Sequence, residues 1–248
     1  MLHGWTALER TAQNNTRLGI ALTFVAGATN AGGFLAVGQY TSHMTGVVSS
    51  VADSLVLGNI TLALAGIAML CAFLGGAMAS AILVNWGLRR SLHGAYGLPL
   101  LLEAVLLLIF GFFGSAINVA AYVFVPLTVV LLCFIMGLQN AVITKISRAE
   151  IRTTHITGLV TDMGIELGKM VYINWGDGNT PVRANHEKLR LQGKLITGFV
   201  GGGLAGALGF KYLGFITTVP LAILLLLLVW HPLWTDTKRY LLFLNAQP

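Results

Sequence analysis

The chain has 248 residues, of which 56% are hydrophobic and only 10% are charged. A soluble domain carries about 25% charged residues, so this composition, with a mean hydropathy of +0.79, excludes an isolated soluble domain and a disordered chain. The net charge of +6 comes from basic residues that stand between apolar runs. Basic residues in such places set membrane orientation, so we expect no nucleic-acid partner. The sequence predicts an all-α polytopic membrane protein.

Six apolar runs are predicted to cross the bilayer, because a hydrocarbon core about 30 Å thick needs about 20 residues in helical form. These runs are 18–37, 60–84, 98–113, 119–138, 195–210 and 213–230. Two further stretches, 41–57 and 153–172, are shorter and contain ionisable residues. We predict that these two enter the membrane as half-helices and turn back, one from each face.

The basic residues support this path. With Arg10 and Arg17 in the cytoplasm, a full crossing by 153–172 would place the basic residues of 183–194 and 238–239 outside. A re-entrant 153–172 keeps all of them inside, as the positive-inside rule requires. The prediction is therefore six spans plus two re-entrant half-helices, with both termini cytoplasmic.

The two re-entrant stretches share a motif. S-H-M-T-G-V-V at 42–48 parallels T-H-I-T-G-L-V at 154–160, and G-A-T-N-A at 27–31 parallels G-L-Q-N-A at 137–141. Each half has the order span, half-helix, span, span, and an odd number of spans turns the second copy upside down. We predict a 3+3 inverted repeat, 17–115 and 118–233, within a single membrane domain, 1–248. Inverted repeats with broken helices are typical of secondary transporters.

A substrate site is predicted where the two half-helices begin. Its residues are His43, Thr45, Gly46, His155, Thr157 and Gly158. Each threonine is expected to cap free N–H groups, and each glycine to let backbones approach closely. Helix N-termini carry partial positive charge, so two that meet near the midplane would bind a polar or anionic small solute. The alternative is that these side chains only satisfy each other and the broken backbone.

Two asparagines, Asn30 and Asn140, precede the two half-helices and are assigned to the same site. An amide at this depth either bridges the free backbone of a broken helix or donates to the solute. The sequence leaves both roles open.

Two acids are candidates for coupling transport to an ion. Asp162 and Glu166 are four residues apart and share a helix face, and Lys169 can pair with Glu166. That pairing leaves Asp162 as the better candidate for proton or cation coupling, because a buried carboxyl can take up and release a proton.

Other patterns narrow the function. Cys71 and Cys133 are isolated, so we expect no metal site and no cofactor, and no hydrolase or nucleotide-binding motif favours an enzyme. Gly198, Gly202 and Gly206 predict close helix packing, and a homodimer is expected. The leading hypothesis is a small secondary transporter in the lipid bilayer. The alternatives are a non-transporting scaffold or sensor module, and an intramembrane lipid enzyme that uses His155 and Asp162.

The segments 137–141, 153–158 and 198–209 resemble the YoaK-like family of bacterial inner-membrane proteins, which is grouped under a domain of unknown function. The resemblance covers about 17–233. It differs in the first half, where the family usually has Asp at the position of Asn30 and T-G-N at that of 45–47. The resemblance implies a multi-pass location in the bacterial inner (cytoplasmic) membrane and a helical fold, but no established activity.

Overall fold

The structure is a computed structural model that describes residues 6, 11–116, 121–175 and 180–245. Arg10, the start of the predicted second repeat at 118, the start of its first span at 119 and the last three residues of the chain lie outside this part. So do most of the residues before 11, and the predicted location of the two termini therefore stays a prediction.

All regular secondary structure in the described residues is helical, in agreement with the all-α prediction. The helices are α1 (Ala12–Val37), α2 (Met44–Val56), α3 (Ile60–Arg89), α4 (Gly97–Ala116), α5 (Ala121–Ile146), α6 (Ile156–Val171), α7 (His186–Leu213) and α8 (Thr218–Asn245). A short 3₁₀ turn, Gly214–Thr217, joins α7 to α8. The two stretches that are predicted to be re-entrant form separate short helices, α2 and α6, and their re-entrant path stays a prediction.

Four stretches of helix are long and apolar enough to cross a membrane. They are Ala12–Val37, Ile60–Arg89, Tyr122–Ile146 and His186–Lys238, the last of which contains α7, the 3₁₀ turn and most of α8. Two apolar helices are shorter, Met44–Val56 and Gly97–Phe112. The chain therefore has the helices of a multi-pass membrane protein.

Local capping explains where α1 and α2 end. Thr11 accepts a hydrogen bond from the amide of Asn14 at 3.2 Å, which caps the start of α1. Gly38 takes a left-handed φ of 72°, and its amide binds the carbonyl of Phe34 at 2.8 Å. Gly58, with a φ of 73°, gives the sharp turn between α2 and α3.

Several helices extend beyond the predicted apolar runs. Helix α5 continues past the predicted run 119–138 to Ile146. Helix α7 begins at His186, before the predicted run 195–210, and α8 continues past the predicted run 213–230 to Asn245. Hydropathy marks only the part of a helix that faces lipid, whereas the backbone hydrogen bonds continue into polar residues. At α7 the side chain of Asn185 accepts from the amide of Lys188 at 3.0 Å and fixes the earlier start.

Helix α1 packs against α7 across glycines. A Cβ added to Gly27 would collide with the carbonyl oxygen of Phe199, and one added to Gly202 would collide with that of Phe24. Gly206 likewise faces the backbone of α1. The predicted packing role of the α7 glycines is therefore confirmed, and α1 covers this stripe within the chain. The homodimer stays a prediction without the support of that stripe.

Helix α3 packs against α5 in the same way. A Cβ on Gly137 would collide with the carbonyl oxygen of Phe73, and one on Gly76 with that of Phe134. Gly137 and Phe134 take the places in α5 that Gly27 and Phe24 take in α1. The two crossings thus use matching residues of the two halves, with one helix from each half in each crossing.

The main core lies between α1, α4, α5 and α8. Its largest fully buried side chains include Leu18, Leu22, Leu100, Leu107, Phe110, Leu132, Ile135, Met136 and Leu225. Helix α2 packs on α3, and α6 on α7, at the periphery of this core. Large apolar side chains along α3, such as Leu64, Leu74 and Ile82, are exposed, as expected of a surface that faces lipid.

Candidate substrate site

A tight turn after α5 leads the chain to the second half-helix. The hydroxyl of Ser147 donates to the carbonyl of Ile143 at 2.8 Å and accepts from the amide of Ile151 at 2.9 Å. Between Ser147 and Ile151, the residues Arg148 and Ala149 have φ values of 53° and 67°. This left-handed conformation costs a residue with a Cβ about 1 kcal/mol. The segment that precedes α6 is therefore held by specific contacts.

The two asparagines fasten the segments that lead into the half-helices. The hydroxyl of Ser42 donates to Oδ1 of Asn30 at 3.0 Å, and that of Thr154 donates to Oδ1 of Asn140 at 3.0 Å. Thr153 adds a second, longer bond to Asn140 at 3.3 Å. These contacts join side chains and do not engage free backbone, so the two roles that the sequence leaves open stay predictions.

The half-helices begin at the histidines. His43 and His155 occupy the cap positions of α2 and α6, and neither side chain makes a capping hydrogen bond. Thr45 and Thr157 lie inside the first turn, so the predicted capping role of the threonines is wrong. The reason is register: each cap position lies two residues earlier than expected, which places the threonine after the position whose side chain can reach the free amides.

Each imidazole lies against the glycine three residues later. A Cβ on Gly158 would lie 2.5 Å from Cε1 and 2.6 Å from Nδ1 of His155, and one on Gly46 would lie 2.6 Å from Nδ1 of His43. We expected these glycines to permit contact between backbones. They instead leave room for a ring from their own helix, and this puts the imidazole at the helix end.

The ends of both half-helices line one cavity of about 390 Å³, here called the central cavity. His43 and Thr45 line it from the first half, and Asn140, His155 and Thr157 line it from the second. The structure thus brings five of the eight predicted binding residues together. Of the other three, Asn30 is buried behind Ser42, and the two glycines lie beside the flanking cavities described next.

Two further cavities flank the central one. The first-half cavity, of about 410 Å³, is lined by residues that include His43, Gly46, Val47 and Ser50. The second-half cavity, of about 270 Å³, is lined by residues that include His155, Gly158, Leu159 and Asp162. These two sets occupy equivalent motif positions. His43 lines both the first-half and the central cavity, and His155 both the central and the second-half cavity.

Sequence reasoning missed Arg152, which lines the central and second-half cavities. Its Nη1 lies 3.4 Å from Nδ1 of His155. A guanidinium can only donate, so this contact is a hydrogen bond only when Nδ1 is free to accept. We had assigned the loop's basic residues to membrane orientation. The available signal was the position of Arg152, two residues before the repeated motif, where the first half has Tyr40.

The acids differ from the expectation. Asp162 is not a buried, unpaired carboxyl: it forms an ion pair with Lys188 at 3.2 Å, and its side chain is 44% exposed. The expected burial is wrong because Asp162 faces the start of α7, where Lys188 is available, and its coupling role stays a prediction. Glu166 is nearly buried and pairs with Lys169 at 2.9 Å, as predicted, and it also accepts from the amide of Asn185 at 2.7 Å.

Most described residues that line the central cavity are polar, and Met44 and Phe73 add apolar surface. Hydroxyls, imidazoles and the guanidinium of Arg152 surround it, and no carboxylate is among its described lining residues. Over the described ranges no three His, Cys, Asp or Glu side chains converge as a metal site would require. The arrangement can bind a small solute that is rich in acceptors.

Membrane-length apolar helices, together with two short helices whose ends line a polar cavity, define a multi-pass membrane protein. Residues 18–231 match the family described as "Protein of unknown function (DUF1275)", and the chain belongs to this family. The match agrees with the resemblance to the YoaK-like proteins. No curated protein and no solved structure matches the chain.

Proposed function

We propose that the chain is a small secondary transporter of a polar or anionic solute, built as a 3+3 inverted repeat. One observation carries the proposal: the first turns of α2 and α6 line a single polar cavity, and an equivalent cavity adjoins each histidine. A solute site between two repeats, flanked by matching cavities, is what alternating access requires.

The helix crossings support the repeat. In the proposed correspondence α1, α2, α3 and α4 of the first half match α5, α6, α7 and α8 of the second. A two-fold operation of this kind exchanges the α1–α7 crossing with the α3–α5 crossing, and the two crossings do use matching glycines and carbonyls, such as Gly27 with Phe199 and Gly137 with Phe73. The repeat then contains six spans, because α4 and α8 each count as one.

The unpaired backbone supports a solute at this place. Within the described residues no hydrogen bond engages the amides of Thr45, Gly46, Thr157 or Gly158. Free amides in a membrane protein are tolerated where they line a polar cavity. In the proposed mechanism the solute binds these donors, and the repeats rock so that His43 and His155 alternately separate the central cavity from one flanking cavity.

Topology is tested by labelling single cysteines in sealed inner-membrane vesicles and in whole cells. In a background where Cys71 and Cys133 are replaced by Ala, Ser50→Cys and Asp162→Cys occupy matching positions of the two flanking cavities. The inverted repeat predicts that an impermeant thiol reagent reaches Ser50→Cys from outside and Asp162→Cys from the cytoplasm. Labelling of both from one face would contradict the inversion.

Transport is tested with the purified chain in proteoliposomes and a panel of radiolabelled anions and polar metabolites. We expect flux of at least one solute. At a solute concentration below saturation we expect His155→Ala and Thr157→Ala to reduce it about tenfold, through the loss of about 1.4 kcal/mol of solute binding. Thr197→Ala is the matched control, because Thr197 lies exposed on α7 and donates within its own helix at 2.9 Å. Absence of all flux, with a stable protein partner on pull-down, would instead support the scaffold or sensor alternative.

A further inference from the structure

Arg152 is the one Lys, Arg, Asp or Glu among the described residues that line the central cavity, and it makes the two halves of the site unequal. Arg152 lies three residues before His155. At the matching place the first half has Tyr40, whose ring stacks on Phe34 with centroids 4.6 Å apart. The first-half cavity therefore has no charged side chain among its described lining residues, whereas the central and second-half cavities both contain Arg152.

Within the described residues, no carboxylate forms an ion pair with Arg152. Arg152 is exposed, and in the described part of the chain its only hydrogen-bond partner is the ring of His155, at 3.4 Å. Glu150 and Asp162 line the second-half cavity but not the central one, and Lys188 already pairs with Asp162. A guanidinium has five N–H donors, so most of them remain available to a solute.

We propose that Arg152 is the residue that selects the solute, and that the solute is a small oxyanion, either a carboxylate or an inorganic oxyanion. The inference rests on the proposed function, since it names the substrate class of that site. The planar donor fork of Arg matches the paired oxygens of such an anion. The hydroxyls of Thr45 and Thr157 line the same cavity and complete the donor set.

The binding test uses acetate and acetamide, which have nearly the same shape and differ in charge, together with sulfate and phosphate at constant ionic strength. The unfolding temperature of the purified full-length chain in detergent is measured as each is titrated. We expect acetate or one inorganic oxyanion to raise it and acetamide to leave it unchanged. The anion that raises the unfolding temperature shows whether the solute is a carboxylate or an inorganic oxyanion.

The variants are Arg152→Gln, Arg152→Lys and the matched control Arg183→Gln, which removes an exposed arginine outside the described cavities. Arg152→Gln should weaken anion binding at least tenfold, Arg152→Lys should keep the preference for anions with lower affinity, and Arg183→Gln should bind as the parent does. An anion effect that survives Arg152→Gln, an equal effect of acetamide, or no anion effect at all would overturn the inference.

The same variants in proteoliposomes separate this inference from the proposed function. Flux of a neutral solute that is unaffected by Arg152→Gln would leave the transporter proposal standing and overturn the anion assignment. Anion binding that depends on Arg152 without any flux would support the assignment and count against transport.

Discussion

The imidazole of His155 occupies the space that a side chain at Gly158 would need. A Cβ there would lie 2.5 Å from Cε1 of the ring, and the same relationship recurs between His43 and Gly46 in the other half. The glycine comes three residues after the histidine, so the two residues lie on the same face of the first helical turn. The H-x-x-G spacing thus fixes where each imidazole stands between two cavities.

A methyl group at this position should displace the ring without unfolding the helix. We expect Gly158→Ala to lower solute affinity about tenfold while the free energy of unfolding changes by less than about 1 kcal/mol, because a side chain can rotate away from a clash. Binding titration and thermal unfolding of the same preparation measure both effects. Gly164→Ala on the same helix is the control, since nothing lies within 4 Å of its Cβ position. Equal affinities for the two variants would contradict the role of the ring.

The crossing glycines should behave in the opposite way. A Cβ on Gly202 meets the carbonyl of Phe24, which belongs to a helix backbone and cannot rotate away. We expect Gly202→Ala to destabilise the protein by about 1–3 kcal/mol, the usual cost of overpacking, in unfolding followed by circular dichroism. The neighbouring Gly201→Ala has open space around it and should be nearly neutral. If both variants unfold alike, the α1–α7 crossing is not packed as described.

Much of the helical fold could be predicted, because bilayer thickness and hydropathy fix which runs become long helices. The two short helices were also predictable, since ionisable residues such as His43 and His155 stand in stretches too polar and too short for a span, whereas their re-entrant path stays a prediction. Helix ends such as Ile146 were not, because capping and polar continuation lie outside the hydropathy signal. The six-span count and the inversion remain part of the proposal.

The site was predictable where it repeats and not where the halves differ. The matching motifs identified His43 and His155, and both line the central cavity. The first half has Tyr40 at the position that matches Arg152, so a comparison of the two halves does not identify Arg152. Asp162 pairs with Lys188, which is close to it only after folding. No local sequence pattern predicts a contact of this kind.

The anchor at Asn140 should matter more than the one at Asn30. Asn140 accepts from two hydroxyls and donates to the carbonyl of Met136 at 2.8 Å, whereas Asn30 accepts from Ser42. We expect Asn140→Ala to cost about 1–3 kcal/mol, since it strips partners from partly buried groups, and to speed amide exchange in 147–155. Asn140→Asp keeps the accepting oxygens and should retain most of the protection. Faster exchange in Asn140→Asp than in Asn140→Ala would contradict the anchoring role.

The two acids of α6 should have separable effects. Asp162 and Lys188 form an exposed ion pair, and such pairs contribute about 0–1 kcal/mol, so Asp162→Asn should leave both stability and any proton-driven flux nearly unchanged. Glu166 is nearly buried and binds both Lys169 and the amide of Asn185. Glu166→Gln weakens a charged pair and should cost about 1–3 kcal/mol. Unfolding of both variants, with flux measured under an imposed pH gradient, gives the comparison. If Asp162→Asn loses flux driven by the pH gradient but keeps solute exchange at equal pH, Asp162 couples transport to protons despite its ion pair.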